Sequence, residues 1–233
     1  MAKKFKVKTK FGFIDRIIRR IGRSVKRRPK IVDLNDEKWP AKCILIGNHN
    51  GAGGPFHYRA FLDGAFMSWG AHQMCENFRS RRRYLYHTFY RQKLGWGKFK
   101  SFVMSILFGI IAPLAYGFAG IIPVYYDSRI MLTYKYSMNC LEKDVSVFVL
   151  PEDSTEGYKE VIEGFWPGFL QLAKLYYKRH NADLPIYTLH YSKKPKKIVI
   201  GKPMYYRELS EGRTDQEVMR VFIDYMNSLK GVN

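Results

Sequence analysis

Short apolar runs of β type alternate along most of this chain with stretches of helical period, and that alternation constrains the fold more than any other feature. The runs fall at 43–46, 120–125, 145–150, 184–190 and 197–200. Between them, apolar residues recur at helical spacing over about 56–73, 98–118, 129–142, 164–180 and 214–229. A short strand satisfies its backbone only by pairing with neighbours, and intervening helices then cover the two faces of the resulting sheet. The expected architecture is α/β, with a mixed, mostly parallel sheet covered by helices. At 233 residues and 46% apolar content, one domain with a substantial core is expected over 31–233. No internal repeat or low-complexity linker divides it.

The first thirty residues differ in character. They hold thirteen Lys and Arg against the single acid Asp15. Ile14, Ile17, Ile18, Ile21 and Val25 recur at spacings of three and four, bordered by Arg16, Arg19, Arg20, Arg23 and Lys26. This pattern predicts a basic amphipathic helix within residues 1–30, set apart from the domain that follows. Such a helix suits the headgroup region of an anionic membrane, and anionic lipids are its expected partner. The plainer alternative packs the stripe on the domain and leaves the arginines in water. The formal charge of +20 agrees with a polyanionic partner of some kind.

From Ser101 to Tyr126 no charged residue occurs: "SFVMSILFGIIAPLAYGFAGIIPVYY". The segment is long enough to span a bilayer, but Gly109, Pro113, Gly117, Gly120 and Pro123 interrupt it, and its end reads as a strand. A crossing would also put His49 and the polar loop after Leu150 on opposite sides. Burial in the domain or entry into one leaflet is expected instead. Nothing at the N-terminus reads as a secretory signal. Cys43, Cys75 and Cys140 lack the close spacing of a zinc or redox motif and are expected to be buried free thiols in a reducing compartment. The expected location is the cytoplasmic face of a membrane, peripheral or monotopic.

Two loops carry chemistry. In "GNHNGAGGPF", 47–56, an apolar strand delivers His49 into a run of glycines, where a substrate rather than a side chain can occupy the neighbouring space. In "VLPEDSTEGY" a second strand ends at a proline followed by Glu152, Asp153, Ser154, Thr155 and Glu156. Polar residues at the carboxyl end of a sheet strand are where open α/β folds place their sites. A turn with a helix cap would use the same residues. His57, His72 and His87 have no carboxylate or cysteine at ligand spacing, so no metal is expected, and His190, in an apolar run, reads as structural.

Taken together, "NHNGAGGP", "GIIPVYY", "VLPEDST", "LPIYTL" and "IGKP" resemble, in order and spacing, the glycerolipid acyltransferase family, over roughly residues 40–205. The resemblance implies acyl transfer from a thioester, acyl-CoA or acyl carrier protein, to a hydroxyl of a lysophospholipid-like acceptor, with no further cofactor. It implies His49 as general base. It also implies substrate contacts from Asn48, Gly53, Gly54, Glu152, Ser154 and Thr155, and from Gly120 and Arg129 in and just after the second block.

Two departures from the family pattern bear on mechanism. The family's aspartate, five residues after the histidine, is Gly54 here. Asp153 is taken as its substitute, with Glu152 and then Asp63 as alternatives. The arginine that ends the family's Pro-Glu loop is Thr155 here, so a phosphate on the acceptor would fall to Arg129 or Lys159. The acids Glu152, Asp153 and Glu156 suit a cationic or polyol acceptor equally well.

Two rivals stand beside this reading. One is a non-catalytic lipid-binding relative that lost the His-Asp dyad. The other is a nucleic-acid binder, suggested by charge alone. "RRRYLYHTFYRQK", 81–93, is the only stretch that interleaves aromatics with cations as such a binder would, and no recognisable module frames it, so nucleic acid is not the expected partner.

Overall fold

A computed structural model describes residues 5–10, 12–25, 28–51 and 54–232. Seven strands form one sheet: β1 (Lys30–Asp33), β2 (Ile44–Gly47), β3 (Phe66–Ala71), β4 (Ile121–Val124), β5 (Ser146–Val149), β6 (Pro185–Ser192) and β7 (Lys197–Tyr205). Their spatial order is β1-β7-β6-β2-β5-β3-β4. From β6 to β4 all neighbours are parallel. β7 runs antiparallel to β6, and β1 parallel to β7, so these two strands at one edge reverse the direction. The sheet is mixed and mostly parallel, as the alternating pattern requires.

The helices of the described chain are α1 (Phe13–Val25), α2 (Gly54–Phe61), α3 (His72–Cys75), α4 (Phe78–Tyr84), α5 (Lys98–Ala119), α6 (Ile130–Leu141), α7 (Gly168–His180), α8 (Tyr206–Ser210) and α9 (Asp215–Ser228). A π-helical stretch, Leu85–Lys93, continues α4. Alternating residues of the central strands feed two cores. Ile44, Ile46, Val147 and Val149 face Phe169 and Leu172 of α7 and Phe222 of α9. Leu45 and Phe148 face Tyr58 and Phe61 of α2. A third, smaller cluster of Met74, Leu85, Tyr90 and Ala112 joins α3 and the π-helix to α5.

Two strands are not foreseen by the apolar pattern. The helical period assigned to 56–73 is α2 followed by β3, with Asp63 and Gly64 turning the chain between them, the glycine at φ +89°. Trp69 and Gly70 obscured the alternation of β3. β1 is a short edge strand whose Lys30, Ile31 and Asp33 are exposed, so it lacks an apolar run.

α1 lies against α2, and its arginines explain why. Arg19 donates to the carbonyls of Arg59 (2.9 Å) and Leu62 (2.7 Å), and Arg23 to that of Ala60 (2.8 Å). These are carbonyls at the end of α2, which have no intrahelical donor and gain from a nearby cation. Arg19 is 8% exposed, so it serves the domain rather than a solvated flank. Of the expected apolar stripe, Ile17 is exposed, while the side chains of Ile14, Ile18, Ile21 and Val25 lie outside the described residues.

α5 contains Pro113, which has no N–H to give the carbonyl of Gly109. Arg81 of α4 supplies the missing donor through Nε at 3.0 Å. Among the described residues, no helix is long and apolar enough to cross a membrane. Of the cysteines, Cys43 and Cys140 are buried, whereas Cys75, at the end of the short surface helix α3, is exposed rather than buried.

Candidate active site at the carboxyl ends of two adjacent strands

β2 and β5 are parallel neighbours, so the loops leaving their carboxyl ends emerge side by side. His49 comes from the first loop and Glu152 from the second. Glu152 accepts the backbone N–H of His49 through Oε2 at 2.8 Å, and the same oxygen lies 3.6 Å from His49 Nδ1. The first contact anchors the carboxylate. The second is about half an ångström beyond good hydrogen-bond geometry, and His49 Nδ1 has no hydrogen-bond partner. The glutamate is buried at 5% exposure, and the His49 side chain is 18% exposed.

The loop is held in place by its return. Glu152 forms an isolated antiparallel bridge with Phe165; the N–H of Asp153 donates to Gly164 at 2.9 Å, and that of Trp166 to Pro151 at 2.7 Å. An extended segment points successive side chains to opposite sides. Glu152 and Ser154 accordingly turn inward and Asp153 and Thr155 outward. Asp153 therefore does not face His49: its Oδ1 accepts from the backbone N–H and hydroxyl of Thr155 at 3.0 and 2.5 Å. The carboxylate beside the imidazole is that of Glu152. Asp63 is also engaged elsewhere, 3.5 Å from both Arg19 and Arg23.

The other expected site residues separate into several groups. Asn48 is buried and held on both its amide atoms: Oδ1 accepts from the Tyr191 N–H (2.8 Å) and the Tyr58 hydroxyl (2.6 Å), and Nδ2 donates to the Tyr191 carbonyl (3.1 Å). It ties the His49 loop to β6 rather than facing a ligand. Gly54 opens α2 with its backbone on the His49 carbonyl; a Cβ there would sit 1.9 Å from that oxygen. Gly53 lies outside the described residues. Ser154 accepts a hydrogen bond from Lys93 Nζ at 2.7 Å, and the Thr155 carbonyl accepts from Gln92 Nε2.

Gly120 and Arg129 do not join the site. Gly120, at φ +64°, ends α5 and precedes β4, placing it at the amino ends of the parallel strands, opposite His49. Arg129 follows β4 and holds Asp127 through two nitrogens, as close as 2.7 Å, with Glu76 at 3.7 Å, and lies over the Tyr125 ring. This pairing keeps the Asp127 carboxyl down at about 2. Lys159 is paired with Glu156 and Glu163.

A cavity of about 440 Å³ adjoins His49, a size typical of small-molecule sites, which run about 300–1,000 Å³. Trp69, Met74, Phe108, Ile111, Tyr116 and Leu150 supply much of its apolar wall. Two wall residues were not anticipated. The Tyr158 ring lies 5.1 Å from the His49 ring, and burial pushes its hydroxyl pKa up. Lys93, at the end of the π-helix, is pushed down by burial, with Glu152 and Asp153 opposing that shift. Its sequence context, the basic run 81–93, resembles a solvated surface stretch; only the π-helical turn brings the last cation inward. π-Helical turns are rare and frequent at functional sites.

Of the remaining histidines, His57 stacks on Tyr191 at 4.3 Å and meets its hydroxyl at 3.1 Å, and His190 is buried beside Ser192.

The site is thus a histidine and a carboxylate on adjacent strand ends of a mixed α/β sheet, beside an apolar cavity. Comparison with solved structures agrees on the fold: the crystal structure of PlsC, the 1-acyl-sn-glycerophosphate acyltransferase of Thermotoga maritima, matches with a TM-score of 0.50. The match covers 94% of this chain and 81% of that one, at 14% identity. No family model matches the sequence, and no curated protein does.

Proposed function

We propose that this protein is an O-acyltransferase that moves a fatty acyl group from a thioester carrier to a hydroxyl of a lysophospholipid-like acceptor at a membrane surface. The observation that carries the reading is His49, backed by the buried carboxylate of Glu152 and lining an apolar cavity. The acceptor hydroxyl gives its proton to His49 Nε2 while its oxygen attacks the thioester carbonyl carbon. In the substrate complex Glu152 accepts from Nδ1–H, which fixes the tautomer and stabilises the imidazolium. Catalytic hydrogen bonds in ligand-free sites are often long and tighten in the complex, and the 3.6 Å separation fits that behaviour. Collapse of the tetrahedral intermediate breaks the carbon–sulfur bond, and the imidazolium returns its proton to the departing thiolate. The acyl chain occupies the apolar cavity. Lys93 lines the same cavity and is better situated than Arg129 for an anionic acceptor or donor group.

The test is purified protein with radiolabelled acyl-CoA or acyl carrier protein and a panel of lysolipids. The reading requires acyl transfer in the wild type and its loss in His49→Ala.

A second reading has one observation in its favour: Gly54 stands where the family places its aspartate, and its backbone closes on the His49 carbonyl. In that reading the protein binds a lipid in the same cavity without turning it over. Lipid binding that survives His49→Ala, with no transfer by the wild type on any donor, distinguishes it.

A further inference from the structure

α5 is built inside out. The residues it buries fully are small, Ser101, Ser105 and Ala112, with Gly109 against Phe78 of α4, and its large inward side chains in the third cluster, Met104 and Tyr116, are only partly buried. The residues it turns outward are large and apolar: Phe102 is 48% exposed, Ile110 62% and Leu114 61%, with Phe99, Leu107, Phe108 and Ile111 beside them. A helix serving only a water-soluble domain would carry the opposite arrangement. Contiguous exposed apolar surface of this kind marks an interaction site.

What surrounds that face specifies the partner. Lys98 and Lys100, in the first turn of α5 itself, are exposed, Lys100 with its ammonium 3.8 Å from the Trp96 ring centroid, and Arg79 and Arg83 of the adjoining α4 are exposed as well. The Arg82 guanidinium lies 5.9 Å from the Phe102 ring centroid. Apolar side chains rimmed by cations match a leaflet whose acyl region lies beneath a negatively charged headgroup layer. α1, by contrast, has committed Arg19 and Arg23 to the end of α2.

We infer that the outer face of α5, with the cations of α4 and of its own first turn, docks on an anionic lipid bilayer, with α5 lying in the plane of the leaflet. Phe108 and Ile111 belong both to this face and to the wall of the cavity beside His49, so docking places the cavity against the acyl layer. The inference concerns binding and stands whether or not the protein catalyses acyl transfer.

The experiment is co-sedimentation of the full chain with vesicles of phosphatidylcholine alone or with phosphatidylglycerol. Binding is expected only, or far more strongly, with the anionic lipid, weakening as salt rises. The double variant Ile110→Asp, Leu114→Asp changes exposed positions that do not line the cavity. It is expected to weaken binding at least about ten-fold, given the apolar area withdrawn, with an unchanged circular dichroism spectrum and melting temperature. Arg16→Ala with Arg20→Ala, on the exposed side of α1, removes charge but no apolar area and is expected to weaken binding less than the α5 variant does. A tryptophan at Leu114 (Leu114→Trp) should be quenched by lipids brominated on their acyl chains.

Full binding by the α5 variant, or loss of binding through the α1 variant alone, overturns the inference. So does unquenched tryptophan, or self-association of the wild type through α5 without vesicle binding. If the aspartate variant fails to fold, the quenching measurement decides by itself.

Discussion

The loop that leaves β5 has two sides, and they behave differently although their residues alternate along one short stretch. Glu152 and Ser154 are buried, the first against His49 and the second against Lys93. Asp153, Thr155, Glu156 and Lys159 are exposed and satisfy one another. One bridge, Glu152 to Phe165, imposes the extended conformation that sorts them. Composition supplies acids on both sides; only backbone conformation decides which one meets the imidazole.

The comparison is broken most severely at His49, which the inward Glu152 contacts. His49→Ala is expected to lower turnover roughly 10³–10⁴-fold, the upper range for a general base, measured with labelled acyl donor and a lysolipid panel. Glu152→Gln keeps the shape and the bond to the His49 N–H while removing the charge. Replacing the orienting carboxylate of a protease triad by its amide costs about 10⁴ in turnover. With a longer contact here, a loss of roughly 10²–10³ is expected.

A carboxylate returned to the family's position tests whether the site could be served from α2 instead. Gly54→Asp puts a Cβ where the His49 carbonyl already lies. The expected result is a stability loss of about 1–3 kcal/mol, as overpacking produces, read by urea denaturation, and no gain in turnover. A gain would mean the His49 loop accommodates the acid after all.

His190 sharpens the comparison from a second inward-facing imidazole. Burial, followed by repulsion from Lys230 and Lys197, lowers its pKa from 6.5 to about 4, with Glu152 opposing. The unfolded chain then binds more protons than the folded one between those values. Its contribution to stability is complete above about 6.5 and is lost as pH falls toward 4, amounting to about 3 kcal/mol at most. Urea denaturation of wild type and His190→Gln from pH 7 to 4 should show the wild type losing stability more steeply; parallel slopes would remove this residue from the acid response. The smallest effect belongs to the outward side: Asp153→Asn should leave turnover within about two-fold, as surface changes away from the reacting groups usually do.

Much of the fold could be read from the chain. Of the five strands with continuous apolar runs, β2, β5 and nearly all of β6 are buried, as are the first half of β7 and alternate residues of β4, and their side-chain period fixes which residues enter each core. β3 could not be read, because a glycine and a tryptophan interrupt it and the preceding helix supplies apolar residues at helical spacing. β1 could not be read because an edge strand needs little burial. At the site, His49 and the Pro-Glu loop were legible from residue type and order. The partner of His49 was not, since choosing between adjacent acids depends on a bridge to a residue thirteen positions away. Lys93 was hidden for a related reason: the π-helical turn that carries it inward leaves no mark on a basic, aromatic stretch. Arg19 and Arg23 likewise read as lipid-facing cations until the unpaired carbonyls of α2 came beside them.

Proton transfer through His49 and Glu152 is tested most directly by single-turnover acyl transfer in Glu152→Gln and Asp153→Asn, prepared and assayed side by side with the wild type. The expected result is transfer by the wild type, near-complete loss in the first variant and wild-type rates in the second. Equal rates in both variants, a loss confined to Asp153→Asn, or no transfer by the wild type on any donor and acceptor would contradict it.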